Sequence, residues 1–289
     1  MMSAREHAVT IVNACRRDGR GGSPTAVLDD RPMTEAERRA VPARMGTSHA
    51  VFISAADDGP AVSVRFFTTE GELPACGHGT VAALAVLAER AGADEHHAVL
   101  RTSRRSFTGH CVRDADHFTA AFDPGPVELR EPTARERDLV VPALGIASGA
   151  LGPGLSVASV GRPRMLVPIT TRSALAALAP DQAGLRAACD ELGLLGAYVH
   201  TPPTAEGRLA ARLFAPSIGV PEDIANANST ACLAAHLAGR GITGISVDMG
   251  DALGAPSTIT ATARQAAPGP TVRVGGTATV ERTVVLPQM

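Results

Sequence analysis

The sequence predicts an α/β protein made of two similar halves. Three observations carry this expectation. Short β-branched runs recur along the chain; Val81–Arg90 is an alanine- and leucine-rich stretch without Gly or Pro; and one local pattern repeats about half a chain later.

Taken in order, Ala8–Ala14 is a β-branched strand candidate, followed by a turn-rich stretch from Arg16 to Ser23. A second short strand is expected at Thr25–Leu28. Thr34 then stands where a side-chain oxygen would cap a helix rich in Glu, Arg and Ala. Further strands are expected at Ala50–Ser54, Ser63–Phe67, Thr108–Val112 and Phe118–Phe122. Val81–Arg90 reads as a helix starting just after Gly77 and Gly79. The charged, proline-bearing stretch Pro124–Pro142 reads as the hinge. The halves are therefore expected at 1–125 and 126–289, with the last strand free to return to the first half.

The repeat is specific in its spacing. Arg65-Phe66-Phe67 is followed by Pro74, a small-residue turn and a helix from about Thr80. Arg212-Leu213-Phe214 is followed by Pro221, a turn at Asn226–Ser229 and a helix through Cys232 and His236. Arginine and proline are nine residues apart in each copy (65 to 74, 212 to 221), and the copies are offset by 147 positions (65 to 212). An offset near half the length points to a duplicated domain. Halves packed face to face would let both turn–helix elements line one cleft. Each turn offers backbone N–H groups at a helix start, where the helix dipole favours an anion such as a carboxylate or a developing enolate.

Composition excludes several classes. With 27 Lys and Arg against 29 Asp and Glu, the net charge of -2 lacks the basic footprint that nucleic acid demands. No apolar run reads as a membrane span, and the start of the chain, charged at Arg5 and Glu6, has no signal-like run. The five cysteines are odd in number and scattered, which fits a reducing, cytoplasmic compartment. No Gly-x-Gly-x-x-Gly follows a strand, and no lysine sits in a candidate cleft motif, so neither a nicotinamide nor a pyridoxal cofactor is expected.

Several blocks, in order, resemble the phenazine-biosynthesis PhzF-like family. Arg65–Thr80 (RFFTTEGELPACGHGT) resembles its arginine–aromatic strand leading into Pro-x-Cys-Gly-His-x-Thr. Leu213–Asn228 (LFAPSIGVPEDIANAN) resembles its second signature, which ends Glu-Asp-Pro-Ala-Thr-Gly-Ser. Val12–Cys15, Gly22–Val27 and Gly161–Pro168 (GRPRMLVP) resemble its opening strand, the turn after it, and a strand of its second half. The resemblance implies a diaminopimelate-epimerase-like fold: two pseudo-symmetric α/β (α+β) domains, each a curled, mostly antiparallel sheet around a central helix. It also implies an isomerase of a specialised or antibiotic biosynthetic pathway, a small carboxylate substrate, no metal or organic cofactor, and a homodimer. Relatives that racemise amino acids use one cysteine from each half. An epimerase, a non-redox lyase and a noncatalytic small-molecule-binding protein are the alternatives.

The resemblance assigns residues one by one. The family's acid–base glutamate falls on His49, a departure. Imidazole, at about 6.5, is roughly two pH units more basic than a carboxyl at about 4.3, which is about 3 kcal/mol of help in removing a carbon-bound proton. The alternative is a site that has lost its base. Cys76 falls on the racemase thiol position and is either an acid or core packing. Gly77, His78, Gly79 and Thr80 form the first substrate-binding turn, with His78 on the family's substrate-contacting histidine. Asp223 falls on the substrate-binding carboxylate, counted with His49 and Cys76 as catalytic; acidic residues ahead of a helix also serve simply as dipole partners. Asn226, Ala227, Asn228 and Ser229 form the second turn, with Asn228 where the family has serine and Ala227 where it has glycine. Cys-x-His alone suggests a metal, but no third and fourth ligand follows at a usable spacing, so none is expected. Cys232 lies inside a helix and is not taken as a second thiol; Cys15, Cys111 and Cys189 read as structural.

Overall fold

The computed structural model describes residues 7–56, 60–267 and 269–286, so the charged start at Arg5 and Glu6 lies outside the described residues. The chain divides into two compact units, Met1–Asp123 with Gly275–Met289, and Pro124–Val274.

The first unit contains β1 (His7–Arg16), β2 (Ser23–Asp29), α1 (Glu35–Met45), β3 (His49–Ala55), β4 (Val62–Thr68), β5 (Gly71–Leu73), α2 (Gly77–Ala91), β6 (Glu95–Arg101), β7 (Ser106–Asp114) and β8 (His117–Phe122). The C-terminal strand, Thr271–Leu286, adds Gly275–Leu286 to it. Most pairs are antiparallel; β2–β3 and β4–β6 are parallel. The sheet closes on itself, because β1 pairs with the C-terminal strand and that strand pairs with β8. Closure satisfies edge groups that would otherwise template aggregation.

α2 runs inside this ring. Eleven of its fifteen residues are buried, which only a helix enclosed on all sides shows. Its alanines keep it thin, and Gly109 on β7 makes room for its one buried leucine, Leu84. A Cβ on Gly109 would stand 2.6 Å from Leu84 Cδ2. The helix begins at Gly77, so the expected start after Gly79 is corrected: both glycines belong to the first turn. Thr34 caps α1 as expected, in a reciprocal capping box with Glu37.

The second unit contains β9 (Glu128–Arg130), α3 (Ala134–Ala143), β10 (Ser156–Val160), β11 (Arg162–Pro168), α4 (Arg172–Ala176), α5 (Gln182–Leu192), β12 (Ala197–His200), β13 (Arg208–Ala215), β14 (Val220–Asp223), α6 (Ala227–Ala238), β15 (Gly244–Met249) and β16 (Ser257–Arg264). Its sheet runs β9–β10–β11–β12–β13–β15–β16, with β14 also on β13; β11–β12 and β13–β15 are the parallel pairs. Val140, Leu144, Leu185 and Cys189 from α3 and the α5 region pack against Met165, Val167, Val199 and Phe214 of the strands. α6, with eleven of twelve residues buried, packs on β10, β15 and β16. Pro124–Pro142, read from the sequence as the hinge, begins at the division between the two units. It carries β9 and most of α3, which Thr133 and Glu136 start with a second capping box.

The repeat noticed in the sequence is a repeat in atoms. Arg65 makes a two-pronged bond to Glu72, at 3.0 and 2.6 Å, and its guanidinium lies over Phe67. Arg212 does the same to Glu222, at 2.8 and 2.7 Å, over Phe214. In each unit this brace holds a hairpin that feeds the buried helix. The α/β class and the mostly antiparallel sheets agree with the expectation. No described helix is long and apolar enough to cross a membrane.

Candidate active site

His49 is the first residue of β3, in register with Thr25 of the parallel β2. Thr47 Oγ1 donates to the His49 carbonyl at 2.9 Å, and His49 Nδ1 lies 2.9 Å from Ser48 Oγ. The side chain is buried, and its ring meets the ring of His78 edge-on, centroids 4.3 Å apart at 83°. His78, also buried, is the second residue of α2. Cys76 precedes that helix, with Sγ 3.6 Å from His78 Nε2.

Cys76 places no side-chain bond on the helix start; its carbonyl accepts from both N (2.9 Å) and Oγ1 (2.8 Å) of Thr80. Gly79 is tightly packed. A Cβ there would stand 3.0 Å from Cys76 Sγ, 3.0 Å from Phe66 Cδ1 and 3.1 Å from Val51 Cγ2. A side chain at 79 would therefore need Cys76 Sγ, Phe66 and Val51 to give way by a few tenths of an ångström.

Burial drives the His49 pKa well below the ordinary imidazole value, and the nearby His78 adds to the effect. His49 is therefore neutral at pH 7 and able to accept a proton. Its basicity advantage over a carboxyl is smaller than the free imidazole value promised. Spacing along the chain offers no third ligand-type residue beside Cys76 and His78. The fold brings His49 to Cys76 and His78, with one ligand-type atom from each within 4.8 Å of the others.

The second turn is built differently. Asn226 caps α6 by accepting from Ser229 N at 2.9 Å, and its amide donates to Asp223 Oδ2 at 2.9 Å. Asp223, Ala227, Asn228 and Ser229 are all buried. Arg164 on β11, which sequence reasoning passed over inside GRPRMLVP, is buried beside this turn. It donates to Ser229 Oγ at 3.0 Å and to the carbonyls of Val160 (3.1 Å) and Arg162 (2.7 Å). Burial pulls its pKa down from the usual guanidinium value. The alternation of β11 was the available signal, since it turns Arg164 to the side opposite its neighbours. Cys232 lies in α6, where burial raises its thiol pKa; Cys111 and Cys189, also buried, are pushed to about 11.

The sequence-predicted residues thus gather in two groups: His49, Cys76 and His78 in the first unit, and Asp223, Asn226 and Ser229 in the second. A strand hairpin feeding a buried helix occurs once in each unit, and the chain is an epimerase-like α/β protein. The family model described as phenazine biosynthesis-like protein matches residues 13–283, and the chain belongs to that family. An uncharacterized isomerase of Deinococcus radiodurans is 30% identical over 287 residues, covering 93% of this chain and 91% of the relative. The trans-2,3-dihydro-3-hydroxyanthranilate isomerase of Pseudomonas aeruginosa is 30% identical over 236 residues, covering 80% of each. Among solved structures, a predicted epimerase of Pseudomonas aeruginosa aligns over 99% of this chain and 100% of its own, with TM-score 0.83 and 27% identity. The chain is an isomerase.

Proposed function

We propose that the enzyme moves a proton between carbons of a small unsaturated or amino-substituted carboxylic acid, without metal or organic cofactor, and that His49 carries the proton. The observation behind this reading is a buried His49 in ring contact with His78, at the position where the family places its acid–base group. A neutral imidazole takes the proton from one carbon and returns it to another on the same face. A bound carboxylate nearby raises its basicity again, because a negative charge favours the imidazolium. Recovery of the pKa on binding confines the strong base to the occupied site. Cys76 is the second candidate acid, its thiol against His78.

Substrate contacts are assigned to Gly77, His78, Gly79 and Thr80, and to Asp223, Asn226, Ala227, Asn228 and Ser229. The substrate class follows from relatives named as acting on a dihydro-hydroxyanthranilate. A place in antibiotic or other specialised biosynthesis, in the cytoplasm and as a homodimer, belongs to the same proposal.

The test is incubation with a panel of small unsaturated and amino acids in deuterated water. Deuterium on carbon with a shifted double bond supports the isomerase reading. Inversion at one carbon supports the epimerase alternative. Binding without any carbon-bound deuterium would identify a ligand-binding protein and end the proposal.

A further inference from the structure

A second group of histidines lies outside the proposed site, on the exposed face of β6 and β7. His97 and His110 are directly opposite in the antiparallel register, and Glu95, two residues before His97, points to the same face. Both imidazoles converge on one carboxylate oxygen. Glu95 Oε1 lies 3.0 Å from His97 Nε2 and 2.9 Å from His110 Nε2. The two rings are tilted by 32° with centroids 4.4 Å apart, and both turn Nε2 to the same carboxylate oxygen. We infer that Glu95, His97 and His110 form a binding site for one first-row divalent ion, zinc foremost.

The two contacts are hydrogen bonds in which Glu95 Oε1 accepts from both rings, and an ion would take the place of the two shared protons. Zinc takes His nitrogen and carboxylate oxygen at about 2.0–2.2 Å, so neighbouring ligands of a tetrahedral ion lie roughly 3.4 Å apart. The two separations from Glu95 need about half an ångström of adjustment, and all three ligand atoms lie within 4.8 Å of one another, in side chains that are largely exposed at Glu95 and His97. The strand register fixes the three Cβ positions, so the entropic cost of gathering the ligands is already met by the sheet. Two imidazoles and one carboxylate favour zinc, nickel or copper over magnesium or calcium, which prefer all-oxygen shells. With three protein ligands, the ion keeps an open position toward solvent.

The inference is independent of the proton-transfer reading and is tested on the full chain, stripped with chelator and dialysed. Titration with zinc chloride, followed by calorimetry, should show one ion per chain at this site. His97→Ala and His110→Ala should each weaken binding by at least about tenfold, since even partners behind a metal ligand carry that much. Cobalt(II) should give visible d–d bands that survive Cys76→Ser, because no thiolate takes part. His97→Gln serves as a milder variant, and thermal melting without metal checks that each variant folds. Absence of stoichiometric binding, or binding unchanged in the His97→Ala/His110→Ala double variant, would overturn the inference. So would a thiolate-to-cobalt band abolished by Cys76→Ser, which would place the ion at the buried His49–Cys76–His78 group.

Discussion

The two buried helices start from the same braced hairpin and end their first turns in opposite chemistry. At α6, Asn226 occupies the Ser229 N–H and Arg164 donates to the Ser229 hydroxyl, so that turn is tied to its own unit. At α2, Cys76 supplies no such cap, and two imidazoles and a thiol gather at the helix start. One copy of the duplicated element spends its polar groups on order, while the other collects groups that carry protons. The two turns are therefore unequal as anion cradles, although the sequence pattern presents them alike.

The largest expected stability effect separates the two braces. Arg212 and Glu222 are only 12% and 11% exposed, and Arg212 also donates to the carbonyls of Leu175 and Leu178. Arg212→Met strands a buried carboxylate and should cost about 3–5 kcal/mol in denaturant unfolding. A loss similar to that of an exposed pair would show that the brace is idle.

Next comes a pH effect in the second unit. His200, on β12, is buried and its pKa falls from 6.5 to about 4, chiefly through burial, with its bond to the Thr201 carbonyl opposing. Below pH 6.5 the unfolded chain binds a proton that the folded chain refuses, so stability falls as pH drops from 6.5 to 4. The full loss is about 3 kcal/mol. His49 acts in the same direction in the first unit. His200→Gln should flatten part of this slope in unfolding curves taken across that window; an unchanged slope would assign it elsewhere.

Smaller effects test the caps and the weaker brace. Asn226→Ala should cost about 1 kcal/mol, the usual worth of an N-cap. Arg65→Met should cost less than about 1 kcal/mol, because Arg65 and Glu72 are each about one-third exposed and solvent screens them. Equal losses at Arg65 and Arg212 would erase the contrast between the units.

Local signals made much of this architecture legible. Short β-branched runs marked β1, β3 and β4, and the Thr34 cap marked α1, because each depends on residues close in sequence. The same Thr-x-x-Glu signature at Thr133 and Glu136 went unread, since the surrounding prolines and charges suggested a hinge. β6 was missed because Glu95-His96-His97 is polar on its outer face, and with it the pairing of His97 with His110. Each site histidine was found through the family motifs, but their contact was not. His49 and His78 are 29 positions apart, and only the β2–β3 register and the depth of α2 bring the rings together. The burial that lowers the His49 pKa is likewise a property of the closed sheet and not of its neighbours in sequence.

The central claim is that His49 transfers the proton, and one comparison tests it most directly. Carbon-bound deuterium exchange is measured across pH for the wild type, His49→Ala and His49→Glu, on the acid that the panel identifies. The account predicts that His49→Ala lowers turnover by roughly 10²–10⁴-fold with substrate binding and folding retained. It also predicts that His49→Glu keeps part of the activity, with its pH–rate profile moved to that of a carboxylate. Unchanged turnover in His49→Ala would contradict the account and pass the role to Cys76 and His78.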